Sequence, residues 1–519
     1  MKRRLTAVDI ETIFINGSHF PSVIALCRKN VVVHKTNQYT NEGRDKIVKK
    51  ALKSLMSKVR NNYVYTHNFS NFDSYFLLQG MKKMGFQILD VYTKGFSVIF
   101  VRAKYKSRMF YFKDSYLLLP SSLSSLGKLT GYDKDQFTLS LVNQNSEFSK
   151  KYLYYLIYDV LVLYFILRKS CNLVYYIYKL HFSKFISIAH MSYNIFRKRF
   201  LKCFLLIKSI KKNTFIKRSY FGAMVEVKRY YGKHLKYYDI NSMYPYVMLG
   251  NLPWYPVKWF YNSINLDYFF GFCEVQIEVV PKLFGKIHPN AYASETVVLY
   301  SEELKMMKKF GYQFKIIKAI QFKKIKYFKL FIEHFNILRQ SSIYIKKFAK
   351  LILNSLYGRL ALKKSAFNSI HLSSSISSAA RIEIFQYKNK FFFYYSDTDS
   401  VVLDYILPSK FTGDAIGLLK VQYSAEEGRF FAEKIYFLFN KQTIVKIKGY
   451  LKHLVGEDFK KLLSAQKFKF ITLFKKHINT LQITSQILKY SYTPTIVYEA
   501  NKSKKNNFSI WKNIWWQLY

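Results

Sequence analysis

Half of the 519 residues are apolar and 19% are aromatic, ample for several cores, which excludes a disordered, collagen-like or coiled-coil chain. Against 31 Asp and Glu stand 83 Lys and Arg, a formal charge of +52, and a chain this basic repels itself unless a polyanion is its partner. At ~100 to 200 residues per domain three or four units are expected.

The run LTAVDIETI begins by position 5, so no signal or transit peptide is expected ahead of it; the protein is made where it works, or the reading frame is truncated. To about residue 170, strand-like runs (LTAVDIETIF, GFSVIFVRA, RMFYFKDSYLLL) alternate with helical ones (DKIVKKALKSLMSKV, FDSYFLLQGMKKMG), an α/β pattern. The most apolar stretch, residues 152–167, is shorter than the ~20 residues a membrane span needs and holds Asp159 at its centre, so it reads as a buried helix. Residues 171–235 are basic and aromatic without a clear period. From 236 to 405 follow a strand (HLKYYDI), a charged helix (SEELKMMKKFG), long amphipathic helices from about 327 to 361, and aromatic strands around SDTD. The rest, to 519, is Lys-rich and mixed. HLSSSISSAA is the nearest approach to low complexity. Cys27, Cys171, Cys203 and Cys273 lie far apart without a CxxC pair, which argues against a zinc module or a disulfide framework and makes a reducing compartment the default. Lys far outnumbers Arg, as A+T-rich coding produces, so a solvated surface charge is the bland reading of any single lysine.

The scarce acids are more telling. Asp9, Glu11, Asp73, Asp159, Asp239, Asp397 and Asp399, seven of the 31, sit in apolar or aromatic contexts. Buried carboxylates need compensation, and beside nucleic acid divalent cations supply it. On a strand Asp9 and Glu11 share one face, and like charges so close call for a metal or a proton. Asn68 and Asp73 open a helical pattern in THNFSNFDSYFLL, and Tyr155 and Asp159 are an i, i+4 pair on one helical face. Each alone fits a structural role; together, in this order, they favour a site. More specific are YYDINSMYPYVM, with Asp239 at a strand end, and YYSDTDSVVL, with Asp397 and Asp399 at a tight turn. Three carboxylates at strand ends suit two Mg2+ ions clamping an in-line phosphoryl displacement, whereas an isolated DTD would be an ordinary hairpin. In KKFAKLILNSLYGRLA, Lys350, Asn354 and Tyr357 share a face, with Arg339 about three turns earlier, while Ile352, Leu353 and Leu356 face inward.

At this point the motifs carry a resemblance. DIE (Asp9, Glu11), HNxxxFD (His67 to Asp73) and YxxxD (Tyr155, Asp159) are similar to the three exonuclease motifs of proofreading DNA polymerases. DINSMYP, KLILNSLYG and YSDTDS resemble motifs A, B and C of family B DNA polymerases, colinear over roughly residues 7 to 450. Within that family the chain looks most like the protein-primed branch of linear mitochondrial plasmids, adenoviruses and some phages. The signs are PSSLSSL with Ser122 and Leu123, the YxG(G/A) linker at Tyr220, Gly222 and Ala223, the KxY motif at Lys434 and Tyr436, and IVKIKGY near 444–450.

The resemblance implies an α/β and α+β multidomain chain: an RNase H-like 3′-to-5′ exonuclease over 1–175, a basic connecting region over 176–235, palm and fingers over 236–405 with a priming-specific insertion around 251–333, and a thumb-like region over 406–519. By the same analogy Asp9, Glu11, Asp73 and Asp159 bind two exonuclease metals, Tyr155 orients the attacking water, and Asn68, Phe72, Ser122 and Leu123 hold the frayed primer end. Asp239 and Asp399, with Asp397 beside them, hold Mg2+ (or Mn2+), two ions per active site. Tyr244 is the steric gate under the sugar, Lys350 neutralises triphosphate charge, Asn354 and Tyr357 line the nascent pair, and Lys434 and Tyr436 steady the primer; Arg339, placed by helical spacing, joins the nucleotide-binding set. Implied partners are template and primer DNA, dNTPs and a terminal protein as primer, with no membrane; a monomer and a mitochondrial or plasmid setting, or a viral one, are expected. The 38 residues between Gly358 and Asp397 leave little room for a second priming-specific insertion. The alternatives are a decayed, basic DNA-binding relic, against which the intact carboxylates speak, and a reverse transcriptase, against which the DIE, HNxxxFD and YxxxD series speaks.

Overall fold

The structure, a computed structural model, describes residues 4–448 apart from 16–17, 57–60, 96, 130, 132–146, 202–206, 208, 262–263, 284, 361–368 and 441–442, and beyond them the backbone of four short strands. The chain divides into two compact units, Met1–Met191 with Val455–Tyr519, and Ser192–Leu454.

The first unit runs β1 (Arg4–Ile15), β2 (Ser18–Cys27), β3 (Val31–Lys35), α1 (Asn41–Leu55), β4 (Asn61–Thr66), α2 (Asp73–Lys83), β5 (Gln87–Lys94), β6 (Ser97–Tyr105), β7 (Arg108–Asp114), α3 (Leu123–Lys128), α4 (Glu147–Tyr178) and the start of α5 (Ile188–Arg199). Its sheet is ordered β3-β2-β1-β4-β7-β6-β5, and Lys475–His477 with Gln482–Thr484 extend it along β2. β1, β4 and β7 run parallel; a parallel pair cannot close with a hairpin, so the chain crosses over through α1 and α2. Thr40 caps α1 by accepting the Gly43 N–H at 3.2 Å, and Ile47, Val48, Ala51, Leu52 and Leu55 form its buried stripe. α2 meets that stripe at Gly80, where a Cβ would come within 2.3 Å of Val48 Cγ1. Helix α4 is longer than its sequence reading: 32 residues, because the apolar pattern resumes after Arg168 and Lys169. Its segment Leu153–Tyr178 is long and apolar enough to cross a membrane. Its Leu156, Val160, Leu163, Leu167 and Val174 are nevertheless buried at helical spacing, and the helix packs on β1 and β2.

The second unit continues with α6 (Ile210–Lys217), β8 (Val225–Val227), β9 (Tyr231–Ile240), α7 (Met243–Val247), β10 (Leu252–Tyr261), β11 (Gly271–Val279), β12 (Thr296–Tyr300), α8 (Ser301–Lys309), β13 (Gln313–Ile325), α9 (Lys329–Leu338), α10 (Ile343–Leu360), α11 (Ile370–Lys390), β14 (Tyr395–Asp397), β15 (Ser400–Leu403), β16 (Leu419–Ala432), β17 (Ile435–Asn440) and β18 (Thr443–Ile447). One sheet is ordered β18-β17-β16-β9-β15-β14-β8, a second β10-β13-β11-β12. β16 and β17, in the stretch read as thumb-like, are thus strands of the same sheet as β9. The stretch 251–333, expected to be an insertion, holds the second sheet and α8. Helix α11 touches both sheets and α6, α7, α8 and α10. The serine run is its most enclosed part rather than low complexity: Ser373, Ser374, Ser375, Ser377 and Ser378 are all buried. Small side chains let neighbours approach, and Ser373, Ser375 and Ser377 donate their hydroxyls to carbonyls three or four residues back.

Candidate active sites

Strand pairing in the second unit gathers three of the expected carboxylates. Asp239 is the last residue but one of β9, and a two-residue turn, Thr398 and Asp399, joins β14 to β15. β9 pairs with β15 in the register Asp239↔Ser400, and the Ile240 N–H donates to the Asp399 carbonyl at 2.8 Å. Thr398 takes the left-handed φ of +61° despite its β-branch; its N–H donates to the Met224 carbonyl (3.0 Å) and its hydroxyl to Asp397 Oδ1 (2.9 Å). Burial first, then the negative charge of Asp239, pushes the Asp399 carboxyl up to about 7. Burial also raises that of Asp239, and Lys350 opposes it.

Asp397 has a cation of its own: Lys434 Nζ donates to both its oxygens, at 2.6 and 2.8 Å. Lys434 sits in the β16–β17 turn at φ +61°, and its backbone N–H donates to the Tyr395 hydroxyl at 3.0 Å. Tyr436, expected on the primer, is 0% exposed. It packs on Tyr395 at 4.7 Å between ring centroids, beside Phe430 and Tyr237, and therefore supports the carboxylate turn from beneath. The rings of Tyr395, Phe430 and Tyr237 enclose it, so this aromatic has no open face.

Around these carboxylates stand the residues of α7 and α10. Tyr244 is the second residue of α7, whose cap Ser242 is left-handed at φ +51°, and its ring stacks on Tyr357 of α10 at 4.4 Å and 19°. Burial, with the Asp399 charge second, pushes the Tyr244 hydroxyl up to about 12. On α10, Lys350 and Asn354 are exposed and Tyr357 half-buried, while Tyr344, Phe348, Ile352, Leu353 and Leu356 are in the core. The Tyr357 hydroxyl bonds Ser377 and lies 3.4 Å from that of Tyr220. Gly222 and Ala223 follow in the loop before β8, with open space around the Gly222 α-carbon. Arg339 is not on the α10 face: α9 ends at Leu338, a Gln-Ser-Ser turn intervenes, and Arg339 instead donates to Ser242 Oγ at 3.3 Å. It reaches the site from α9 through the residue before motif A's helix.

In the first unit Asp9 and Glu11 lie half-buried on β1, opposite Ala25 and Val23. Asp73 begins α2, is 3% exposed and accepts the Thr66 hydroxyl at 3.0 Å. Burial, joined by the charges of Asp114 and Glu11, pushes its carboxyl up to about 7. Asp159 is buried on α4, and Tyr155 is half-buried one turn before it. Burial lowers the pKa of His67, which the charges of Asp114 and Asp159 counter, so Asp159 faces the same spot. Asn68 holds a left-handed φ of +80° and receives the Asn71 amide at 2.9 Å. Phe72 meets His19 edge-on at 5.7 Å, and His19 in turn meets the exposed Phe14 at 5.0 Å, an aromatic row beside Asp73. Ser122 is exposed and caps α3 by accepting the Ser125 N–H at 3.3 Å; Leu123 is half-buried.

Of this cluster the sequence reading misses Asp114 and gives His67 no role beyond its place in HNxxxFD. Asp114, ending β7, accepts the N–H groups of Asn68 (3.0 Å), Ser70 (2.9 Å) and Tyr116 (2.8 Å) and so shapes the HNFSNF turn. His67 ties that turn to the Ser122 segment, donating Nε2–H to the Ser121 carbonyl at 2.9 Å and pairing through Nδ1 with the Ser115 hydroxyl. An acid closing an aromatic strand, as Asp239 does, was the signal available for Asp114.

Among the described residues no three His, Cys, Asp or Glu side chains converge as a ready-made metal cage. The donor set nonetheless fits Mg2+ or Mn2+, because it is carboxylate oxygen throughout and such ions are held by one or two carboxylates together with water and substrate phosphates. The raised Asp399 and Asp73 carboxyls mark two places where burial, and then neighbouring negative charge, disfavours the carboxylate and a cation would relieve it.

A family model described as DNA polymerase type B, organellar and viral, matches residues 53–148 and 132–391. Proteins named "Probable DNA polymerase" from Podospora anserina and Neurospora intermedia are 24% and 26% identical, over 93% and 87% of this chain. The chain spans 55% and 58% of the length of those relatives. Among solved structures, Phi29 DNA polymerase with primer-template DNA and incoming nucleotides superposes at a TM-score of 0.69 with 16% identity, covering 95% of this chain and all of that one. Its binary complex with primer-template DNA gives 0.70 at 15% identity. The fold is therefore that of an exonuclease domain followed by a right-hand palm, fingers and thumb. With the family model spanning more than half of its length, the chain belongs to the organellar and viral type B DNA polymerases.

Proposed function

We propose that the chain is a DNA-directed DNA polymerase with a 3′-to-5′ proofreading exonuclease, copying an organellar, plasmid or viral genome from a protein primer. The observation that carries the reading is the convergence of Asp239, near the end of β9, and Asp399, in the turn that leads into the paired strand β15, with the Tyr244–Tyr357 stack alongside. Asp239 and Asp399 would hold the ions, Mg2+ or Mn2+, two per site, and Asp397 sits beside them under Lys434. When bound, the ions supply charge stabilisation for the in-line displacement and lower the pKa of the attacking hydroxyl. Lys350 offers a cation to the triphosphate, Tyr244 fills the space a 2′-hydroxyl needs, and Asn354 faces the nascent pair. In the other unit Asp9, Glu11, Asp73 and Asp159 form the degrading site, and Phe14, His19 and Phe72 offer a stacking surface to a single strand. Protein priming is supported by the YxG(G/A) and KxY residues and by the sheet-forming 251–333 insertion.

The test is primer extension with Mg2+ and dNTPs beside digestion of a template-free single strand. Both activities are expected, and Asp9→Ala with Glu11→Ala should abolish only the second. A folded protein with neither activity would refute the reading. For priming, a labelled dNTP supplied with source proteins and no oligonucleotide should leave label on protein after denaturation; label that needs an added RNA or DNA primer would refute that part alone.

A further inference from the structure

Arg381 is among the largest fully buried side chains of the described residues, 2% exposed on α11. Its Nε and Nη2 donate to the two oxygens of Glu303 on α8, at 2.7 and 2.8 Å, and Ser378 donates to the same carboxylate at 2.6 Å. A buried ion pair of this kind contributes little net stability against an apolar pair of the same volume, so stability does not account for it. The remaining Nη1 is aimed at the linker, donating to the carbonyls of Phe221 (2.9 Å) and Gly222 (3.0 Å). Glu303 thus fixes the guanidinium fork, and the fork holds the YxG loop.

The same face of α11 carries the other anchors. Ser374, Ser377, Ser378 and Arg381 stand at i, i+3, i+4 and i+7, one helical stripe. Ser374 donates to the Ser219 carbonyl at 2.8 Å, in the residue before Tyr220. Ser377 bonds the Tyr357 hydroxyl, which also lies 3.4 Å from the Tyr220 hydroxyl. Tyr357 carries the ring of Tyr244 at 4.4 Å. Linker and sugar-facing stack therefore share a single support, and a displacement of the loop by a few tenths of an ångström is passed to Tyr244 through two hydroxyl contacts and one ring face.

We propose that Arg381, clamped by Glu303, is a positioning residue that sets the Tyr220–Tyr357–Tyr244 spacing and so tightens discrimination between deoxyribo- and ribonucleotides. The selectivity half rests on the polymerase reading; the positioning half does not. Because Arg381→Met alone would strand a buried carboxylate, the test uses Arg381→Met with Glu303→Met, which keeps volume and removes both charges, and Ser377→Ala, which cuts only the Tyr357 anchor. Hydrogen exchange of the amides at 219–224 is expected to quicken about tenfold or more in the double variant, the consequence of losing two charge-assisted hydrogen bonds. In primer extension the KM for dNTP should rise about tenfold with kcat within about threefold, and the preference for dNTP over rNTP should fall by a similar factor. Ser377→Ala should move the preference in the same direction with the loop's exchange unchanged. Unaltered exchange at 219–224 in the double variant overturns the positioning role, whatever the activity. Quickened exchange with an unaltered nucleotide preference, in a protein that extends primers, overturns the selectivity role. Absence of extension by the wild type refutes the polymerase reading instead and leaves exchange to decide the positioning role.

Discussion

Asp399 illustrates how a single residue trades stability for chemistry. Its carboxylate is folded into a half-buried turn next to Asp239, and burial with that neighbour pushes it up to about 7. Such crowding is unfavourable in the ion-free protein and is what makes the place attractive to a cation. Asp399→Asn removes the like-charge term, so at pH 8 without metal the second unit should melt a few degrees higher in the variant than in wild type, each kcal/mol being about 2 to 4 °C for a cooperative unit of roughly 250 residues. Primer extension should meanwhile fall by at least about a hundredfold, the scale of losing one group that stabilises transition-state charge, and single-strand digestion should persist. A lower melting temperature would mean that the carboxylate is already compensated. Tyr244 tests a different physics, exclusion by volume. Its ring is held flat on Tyr357, so Tyr244→Val opens space where a 2′-hydroxyl would lie, and ribonucleotide incorporation measured on a primed template should rise while dNTP use drops less. Equal losses for both nucleotides would reduce Tyr244 to a packing aromatic.

At the scale of elements, what could be read from sequence was whatever depends on local period. The α10 face is the clear case: Lys350, Asn354 and Tyr357 outward and Ile352, Leu353 and Leu356 inward follow from 3.6 residues per turn alone. The DxE pair and the DTD turn were equally local. Arg339 was misplaced because the break at the Gln-Ser-Ser turn, unmarked by Pro or Gly, cannot be told from a continuing helix by period. Tyr436 is expected on the primer through the KxY resemblance, but a three-residue motif carries no burial, and the rings of Tyr395, Phe430 and Tyr237 that enclose Tyr436 come from distant strands. Asp114 and Arg381 act through contacts with distant backbone, which no spacing encodes. Tertiary burial also creates the acid sensitivity of the second unit. His371 on α11 is pushed down to about 3 and His288 to about 4, both first by burial, against 6.5 for a free imidazole. Between those values the unfolded chain holds a proton that the folded chain does not, so this stability is present above pH ~6.5 and is lost as pH falls through 6 toward 4. The His288 share alone is on the order of 3 kcal/mol once the pH lies below its folded value. Urea unfolding at pH 7.5 and 5 should show the loss, and His371→Leu should lessen it by about one proton's worth; an identical pH slope in the variant would count against burial as its origin.

For the whole molecule the governing quantity is the charge of +52, and the question is how much of it acts on DNA. Two accounts give different numbers. If the excess lysine is a by-product of coding bias, most of it is solvated surface lying more than a Debye length, ~8 Å at physiological salt, from any phosphate, and it is screened. If the charge is arranged as a footprint, each neutralised phosphate releases counterions and steepens the salt dependence by about 0.9 on a double logarithmic plot. For some of the lysines the fold favours the first account. Several lysines lie instead over aromatic rings, Lys258 over Phe260 at 4.7 Å, Lys324 over Phe270 at 4.9 Å and Lys446 over Tyr423 at 4.6 Å, where the cation is held by the protein itself. The number of phosphates contacted is set by the width of the DNA-binding face, not by net charge, and about 6 to 10 contacts is the ordinary scale. Binding to a primer-template duplex, measured between 50 and 200 mM salt, should therefore fall with a slope of about −5 to −9 and lose about 10³ to 10⁵ in affinity. A slope several times steeper would show that the lysine excess is itself the binding surface, and the coding-bias account would have to be abandoned.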